Sequence, residues 1–422
     1  MSLIKMGLRN IFRFKKRTFI TLSAVSLGLA LLIIGITTMN GVDKHSFNNI
    51  IDSQTSHFKI FKKGYFEEKD ELPTDKVIDK GDELLKKIRG LSQVVGAEKR
   101  ILFPGSLIKG SDELPCVGVG IEPAHDPSVF NIRQSMIDGE WIEEGEYQIL
   151  LGKSFAEDLN LGVGDIVTAR VITSRIDNNF TWNAVDFEIK GIFDTANPNV
   201  NSGFVFLPIE AAQEVMSLES GVTEIVIRLT SDDDELIKEV NDSLSGMVRD
   251  SGFDYEVFSW NKLAGDFLAI SKMKTKNTSM LIMIMLFIAS MGIINTMLMA
   301  VLERTREIGM MMALGMKKSE IKKIFLFEGG FIGVLGSLLG CILGALGSWY
   351  LEVYGISLKA FGESYTEIVA ALYPLKDKFY ADLTFGPVFY TFLLGTAISV
   401  VATYYPASRA ARMDPVEALR HF

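Results

Sequence analysis

Four stretches of this chain are long enough and free enough of charge to cross a lipid bilayer: residues 18–42, 277–302, 329–351 and 383–408. Each is built mainly of Leu, Ile, Val, Phe, Met, Gly and Ala. About 20 helical residues cover ~30 Å of hydrocarbon, and only a segment that satisfies its own backbone hydrogen bonds can do so. Buried helices of a water-soluble core rarely run this far without a polar face. Four transmembrane helices are therefore expected, with the 52 acidic and 43 basic residues of the 422 confined to what lies between them.

The charges also orient the spans. Residues 1–17 carry Lys5, Arg9, Arg13, Lys15, Lys16 and Arg17 and no acid, the mark of a cytoplasmic N-terminus. The connector 303–328 holds six basic and four acidic residues, and the tail 409–422 sets Arg409, Arg412 and Arg420 against Asp414 and Glu417, so both are expected inside. Residues 352–382, with three basic and five acidic, fit the outside. Segment 41–276 holds 25 basic and 41 acidic residues between an outward and an inward crossing, so 43–276 should form an extracytoplasmic domain. The first apolar run exceeds a signal-peptide core of about 7–15 residues, and Met39-Asn40-Gly41 is no A-x-A-like cleavage site, which favours a retained anchor. A net charge of −9 argues against a nucleic-acid partner.

From Ser56 onward, short apolar or alternating runs predict strands at 57–61, 94–102, 115–121, 166–173, 187–193, 204–207, 224–229 and 255–258. Amphipathic patterns predict helices at 75–88, 154–160, 208–218 and 233–248. The fold class is thus an α-helical integral membrane protein with a large α+β extracytoplasmic domain between helices one and two. Each end of that domain is expected to make a small α/β lobe, with a strand-rich middle, 110–195, inserted between them. Residues 40–55 and 259–276, poor in Pro and Gly, should extend the first two spans outward as helical stalks.

No catalytic constellation stands out, and a non-enzymatic chain is expected. Gly152-Lys153-Ser154 lacks the leading Gly of a phosphate loop because position 147 is Tyr, and Gly118-Val119-Gly120 runs on to Pro123 where a third Gly belongs. His45, His57, His125 and His421 are too dispersed for a metal site. Cys116 lies outside and Cys341 within the third span, so they cannot pair with each other, and Cys116 is either free or intermolecular. The spans carry no charged residue of the kind expected for an ion or proton pathway, which disfavours a secondary transporter or channel. Gly336, Gly340 and Gly344, preceded by Gly329 and Gly333, mark faces for close helix packing, as do Ala24 and Gly28 in the first span.

The connector after the second span reads Glu303-Arg304-Thr305-Arg306-Glu307-Ile308-Gly309, three methionines, then Ala313-Leu314-Gly315. A short helix presenting Ile308, Met311, Met312 and Leu314 beside fixed charges suits a groove on a protein partner. This run resembles the signature of the FtsX-like permease superfamily, the membrane subunits of MacB and of LolC/LolE-type ABC transporters. Residues 405–420, Tyr405-Pro406-Ala407 through Ala418-Leu419-Arg420, are similar to that family's closing P-A-x-x-A-A-x-x-x-P-x-x-A-L-R. With one span, a large ectodomain and three further spans, the resemblance covers the whole chain. Residues 56–60 and 151–165 also resemble stretches common among LolC/LolE-like permeases, whereas MacB carries a fused ATPase domain and FtsX a much smaller ectodomain.

The resemblance implies mechanotransmission at the bacterial inner membrane. A separate cytoplasmic ABC ATPase would use ATP and Mg, this chain holding no cofactor itself, and would act on Glu303, Arg304, Arg306, Glu307, Ile308, Gly309, Ala313, Leu314 and Gly315. Spans one and two would pass the motion to the ectodomain, beside a second permease copy or paralogue. The implied cargo is a lipoprotein released from the outer leaflet to a periplasmic carrier. The alternatives are MacB-like efflux of peptides or amphiphiles and FtsX-like control of a cell-wall hydrolase. An acylated cargo arriving through membrane lipids needs an apolar receiving surface. Ile33, Ile36 and Met39 on span one, with Leu281, Met283 and Met285 on span two, are expected to line that entrance.

Overall fold

The computed structural model describes residues 15–79, 81–176, 179–218, 220–362, 369, 373–375 and 378–420. Lys5, Arg9, Arg13, His421 and about a third of the 352–382 segment lie outside the described residues. The chain divides into two units, one spanning 45–269 with the described part of 358–375, the other built from 15–44, 270–357 and 378–420.

Helix α1 (Lys15–Ile50) opens the described chain and enters the first unit, where it ends in a π-helical turn, Ile51–Thr55. The unit continues with β1 (Phe58–Lys62), α2 (Gly81–Arg89), β2 (Val94–Lys109), β3 (Asp112–Ile121), β4 (Met136–Gly139), β5 (Gln148–Gly152) and α3 (Lys153–Asp158). Then come β6 (Ile166–Ile176), β7 (Asn179–Phe193), α4 (Pro198–Gly203), β8 (Phe204–Pro208), α5 (Ile209–Val215) and β9 (Glu224–Leu229). Helix α6 (Asp234–Asp250), strand β10 (Tyr255–Ser259) and the short α7 (Trp260–Leu263) complete it.

The two ends of this unit do not make separate lobes, contrary to the sequence expectation. They share one antiparallel sheet in the order β10-β1-β9-β2, because β1 pairs with both β9 and β10. Register places Phe58 opposite Ile227 and Ile60 opposite Ile225, so these apolar side chains share one face. That face packs on Leu84, Leu85 and Ile88 of α2 and on Ile237, Val240 and Leu244 of α6. The second half of β2 leaves the sheet and joins a closed circuit: β2 pairs β3, β3 pairs β8, β8 pairs β5, β5 pairs β7, β7 pairs β6, and β6 returns to β2. Closure leaves this six-stranded ring without an exposed edge. Strands β4 and β5 were absent from the sequence expectation, being short and flanked by glycine and acid rather than by a clear alternation. The helix expected at 75–88 begins only at Gly81, because Ile78 is held in an extended bridge to Val222.

The second unit is helical. Besides α1 it contains α8 (Gly265–Glu303, which starts in the first unit), α9 (Thr305–Ala313), α10 (Lys318–Tyr354), α11 (Phe385–Ala411) and α12 (Pro415–Arg420), with an antiparallel pair of two-residue strands, β11 (Ile356–Ser357) and β12 (Lys378–Phe379). Four of these helices, α1, α8, α10 and α11, are long and apolar enough to span a membrane. Residues 318–328, expected as connector, instead form the first three turns of α10. Ile321, Phe325 and Ile332 recur with Glu328 at 4, 3 and 4 residue steps, one continuous buried stripe.

Candidate functional site

Helix α9 stands alone between two membrane helices, and its residues split into two sets. Arg304, at the N-cap, is buried, and its Nη1 donates to Glu328 Oε2 at 3.2 Å while its Nε donates to Glu307 Oε2 at 3.0 Å. Glu328 is 1% exposed, so the pair tying α9 to α10 is largely desolvated, and the guanidinium also lies 5.5 Å from the Phe325 ring centre. Ile308 is fully buried in a core with Ile321, Phe325, Val301 and Ala410. Gly309 faces α12, where an added Cβ would sit 2.9 Å from Ala418 Cβ. Two sequence runs about a hundred residues apart, 303–315 and 405–420, therefore meet.

The outward set is different. Glu303, Arg306, Ala313 and Gly315 are exposed, Glu307 is half-buried, and Leu314 is 89% exposed with Met310 one turn before it at 48%. The apolar surface offered outward is thus Met310 and Leu314. Ile308, Met311 and Met312, which sequence reasoning placed with Leu314, pack inward instead, because the i, i+3, i+4 stripe is claimed by α10 and α8. Glu328 was missed as a site residue, although its place in the 321–325–328–332 stripe was a legible signal.

Glycine sets the helix packing. Cβ atoms built at Gly336, Gly340 and Gly344 would lie 2.8–2.9 Å from Val25, Leu29 and Ile33 side-chain carbons, so this face receives α1 of the same chain. Thr37 Oγ1 and Ser348 Oγ share a buried 2.7 Å hydrogen bond further along the same seam. Gly329 and Gly333 instead meet Thr403 and Ser399 on α11, whose hydroxyls bond back to the carbonyls of Ser399 and Gly395. Gly28 behaves otherwise: nothing lies within 4 Å of a Cβ built there. With Ala24, Met285, Ala289 and Gly292 it borders a cavity of about 500 Å³ between α1 and α8.

The residues expected at the acyl entrance do not share one environment. Ile33 is fully buried against α10, and Met283, 70% exposed, does not line the cavity. Ile36 and Met39 are half-buried and outside it, and the Leu281 side chain lies outside the described residues. Of the five whose side chains are described, Met285 alone borders the α1–α8 cavity; Met283, two residues away, is turned by about 200° on a helix of 3.6 residues per turn.

In the first unit the end of α1 is held on several sides. Asp52 pairs with Arg228 of β9 at 2.6 Å, and its carbonyl accepts from Asn131 N at 3.0 Å. Asn197 Nδ2 reaches Gln54 Oε1 at 3.4 Å, and Ser56 follows at φ +50°, a backbone region rarely used by a residue with a side chain. On the sheet face opposite α2 and α6, Lys59 Nζ donates to both Glu224 oxygens at 2.9 and 3.0 Å. There Arg100 bonds Glu98 and Asp126, with its guanidinium 3.7 Å from the Phe130 ring centre. Burial, reinforced by Asp126, pushes Glu98 well above the usual carboxylate range, and burial lowers Lys59 despite Glu224. His57 is lowered by burial too; its Nδ1 accepts from Leu229 N, which leaves Nε2–H to donate to Asp232 at 2.6 Å.

Comparison with known proteins gives this architecture a family. Residues 18–244 match the MacB-like periplasmic core domain, and residues 279–415 match the FtsX-like permease C-terminal region. The lipoprotein-releasing system transmembrane protein LolC of Neisseria meningitidis is 25% identical over 98% of each chain, and LolC of Xylella fastidiosa is 28% identical over 75% of each. The macrolide export ATP-binding/permease protein MacB of Sodalis glossinidius is 23% identical over 99% of this chain and 60% of its own length. With its four membrane helices and a large α/β domain between the first and second, the chain belongs to the family of FtsX-like, MacB-type ABC transporter permeases.

Proposed function

We propose that this permease is the membrane subunit of a lipoprotein-releasing transporter, driven by a separate cytoplasmic ABC ATPase that consumes ATP and Mg. The termini and α9 face the cytoplasm of a bacterial inner membrane, and 43–276 faces the periplasm. The observation that carries the reading is the pairing of a short docking helix with continuous helices. Helix α9 presents Met310 and Leu314 beside Glu303 and Arg306, while α1 runs 36 residues without a break, about 54 Å at 1.5 Å per residue. That exceeds the ~30 Å of hydrocarbon and leaves a stiff extension. Motion of α9 under ATP turnover opens and closes the external domain, in company with a second permease copy or paralogue. Acyl chains enter beside Met285, in the apolar α1–α8 cavity, each buried CH₂ contributing ~0.8 kcal/mol. A periplasmic carrier receives the cargo.

The test is release of a triacylated lipoprotein from proteoliposomes that contain the purified complex with its ATPase. ATP-dependent transfer of the lipoprotein to the soluble fraction is expected. Efflux of peptides or amphiphiles is the second reading, favoured by the match of 18–244 to the MacB-like core. ATP hydrolysis stimulated by a macrolide or peptide, with no lipoprotein released, would put it first.

A further inference from the structure

The N-terminal turns of α10 and the last turns of α11 enclose a cavity of about 720 Å³ that the transport reading does not use. Four cations line it, Lys318 and Lys322 from α10 and Arg409 and Arg412 from α11, with Tyr404 and Tyr405 alongside and no carboxylate in the lining. Among the described residues none of the four cations has a carboxylate within 4.0 Å, and Lys322 Nζ instead stands 3.6 Å from the Tyr404 ring centre. Arg409 and Arg412 have a local reason to be there, since cations stabilise a helix C-terminus. Lys318 does not: it occupies the first turn of a 37-residue helix, where the dipole repels positive charge, and Lys322 adds a further cation one turn on. An anion bound among the four relieves this repulsion.

The surroundings say which anion. Both helices continue from this cavity into apolar membrane segments, and Val401 and Phe327 near it are 73% and 47% exposed. Tyr404 and Tyr405, 55% and 57% exposed, have the amphipathic character of side chains that sit at headgroup level. We propose that this cavity binds the phosphate of an anionic phospholipid, such as phosphatidylglycerol or cardiolipin, whose chains lie along α10 and α11. Basic pockets between membrane helices suit such headgroups, and each cation near the surface strengthens binding roughly fivefold. The site depends on the membrane-spanning assignment and not on what the transporter carries.

The purified full-length chain, delipidated in detergent and incubated with equimolar phosphatidylglycerol and phosphatidylcholine, should retain the anionic lipid at least ~10-fold over the zwitterionic one by native mass spectrometry. The variant Lys322→Gln/Arg409→Gln/Arg412→Gln should bring that ratio near one while its elution volume and its melting temperature in phosphatidylcholine stay unchanged. A variant that melts earlier is replaced by Arg409→Gln/Arg412→Gln, which keeps the Tyr404–Lys322 contact. Equal retention of both lipids by the wild type, or unchanged anionic preference in the variants, overturns the proposal. Competition by millimolar inorganic phosphate as strong as that by phosphatidylglycerol also overturns it, in favour of a free-phosphate site. Loss of ATPase association in the variants with lipid preference intact overturns it in favour of a protein surface. Lipoprotein release is scored separately, so its failure leaves the lipid measurement standing.

Discussion

Neutralising Glu328 tests whether α9 is held by a buried charge. In Glu328→Gln, Arg304 keeps Glu307, which is 36% exposed, and loses a carboxylate that is 1% exposed. Breaking a fully buried pair costs ~3–5 kcal/mol, because one charge is left desolvated. The remaining Glu307 contact and its water lower this to about 2–4 kcal/mol for local opening of α9. Glu307→Gln removes a partly solvated partner and should cost only ~0.2–1 kcal/mol. At 1.4 kcal/mol per decade, amide hydrogen exchange in residues 305–313 should rise ~30- to 700-fold in Glu328→Gln and no more than about 5-fold in Glu307→Gln. Replacing both charges, Arg304→Met with Glu328→Leu, should restore much of the protection, since an apolar pair of similar volume avoids the desolvation. Exchange in Glu328→Gln within threefold of Glu307→Gln would refute the argument that burial, rather than proximity, gives this pair its weight.

Leu314→Glu, at an 89% exposed position, should leave folding within about 0.5 kcal/mol of wild type yet lower the permease's stimulation of ATP hydrolysis, whereas Ile308→Ala should destabilise by ~2–5 kcal/mol; equal effects on melting would contradict the inward and outward sets. Burial pushes the Cys116 thiol up to about 12, so its labelling at pH 8 in the native chain should be about a thousandfold slower than that of an ordinary thiol, and urea should restore the rate. Burial holds His57 neutral, with a folded pKa below the unfolded ~6.5; the stability it contributes is full above that value and is lost as pH falls through it. The melting temperature should therefore drop as pH falls below about 6.5, and His57→Gln should flatten that limb; an unchanged slope would show that another group controls it.

The parts of this protein legible in its sequence are those governed by local pattern. Uniformly apolar runs announce membrane helices, and six of the eight expected strands begin within one residue of an observed strand because β-alternation and turn residues agree there. What failed depends on contacts between distant segments. That β1 joins β9 and β10 into one sheet cannot be read from order alone, since either pairing or separation satisfies the same alternation. Burial of Lys59 and Arg100 was equally hidden: a charged residue at alternate positions reads as a solvated face, and only the carboxylates of Glu224, Glu98 and Asp126, brought in by tertiary packing, permit the reverse. Glycine spacing on α10 predicted a close approach but not its partner, and a uniformly apolar helix gave no means of orienting the expected entrance residues.

The packing of α9 bears on which of the two expected helices, α1 or α8, would carry force to the external domain. Helix α9 is fixed to α10 by Arg304–Glu328 and to α12 at Gly309, and α10 is fixed to α1 by the contacts at Gly336, Gly340 and Gly344. By contrast only 12% of the apolar window of α8 is buried, against 44% for α10 and 39% for α1. Although α9 follows α8 directly and packs on its last turns, the outer part of α8 has few neighbours, so we predict that a displacement of α9 is passed outward more by α10 and α1. We predict that α1, whose end is anchored by Asp52–Arg228, is the element whose stiffness matters. Spatial adjacency alone does not establish coupling, so the test compares two matched perturbations. A Gly-Gly insertion after Lys44 softens α1 and one after Thr275 softens α8, each adding two residues that cost ~1 kcal/mol apiece in a helix. ATP hydrolysis should continue in both variants. Cargo release per ATP should collapse for the α1 insertion and fall by less than half for the α8 insertion; equal losses would mean that the loosely packed helix carries the motion after all.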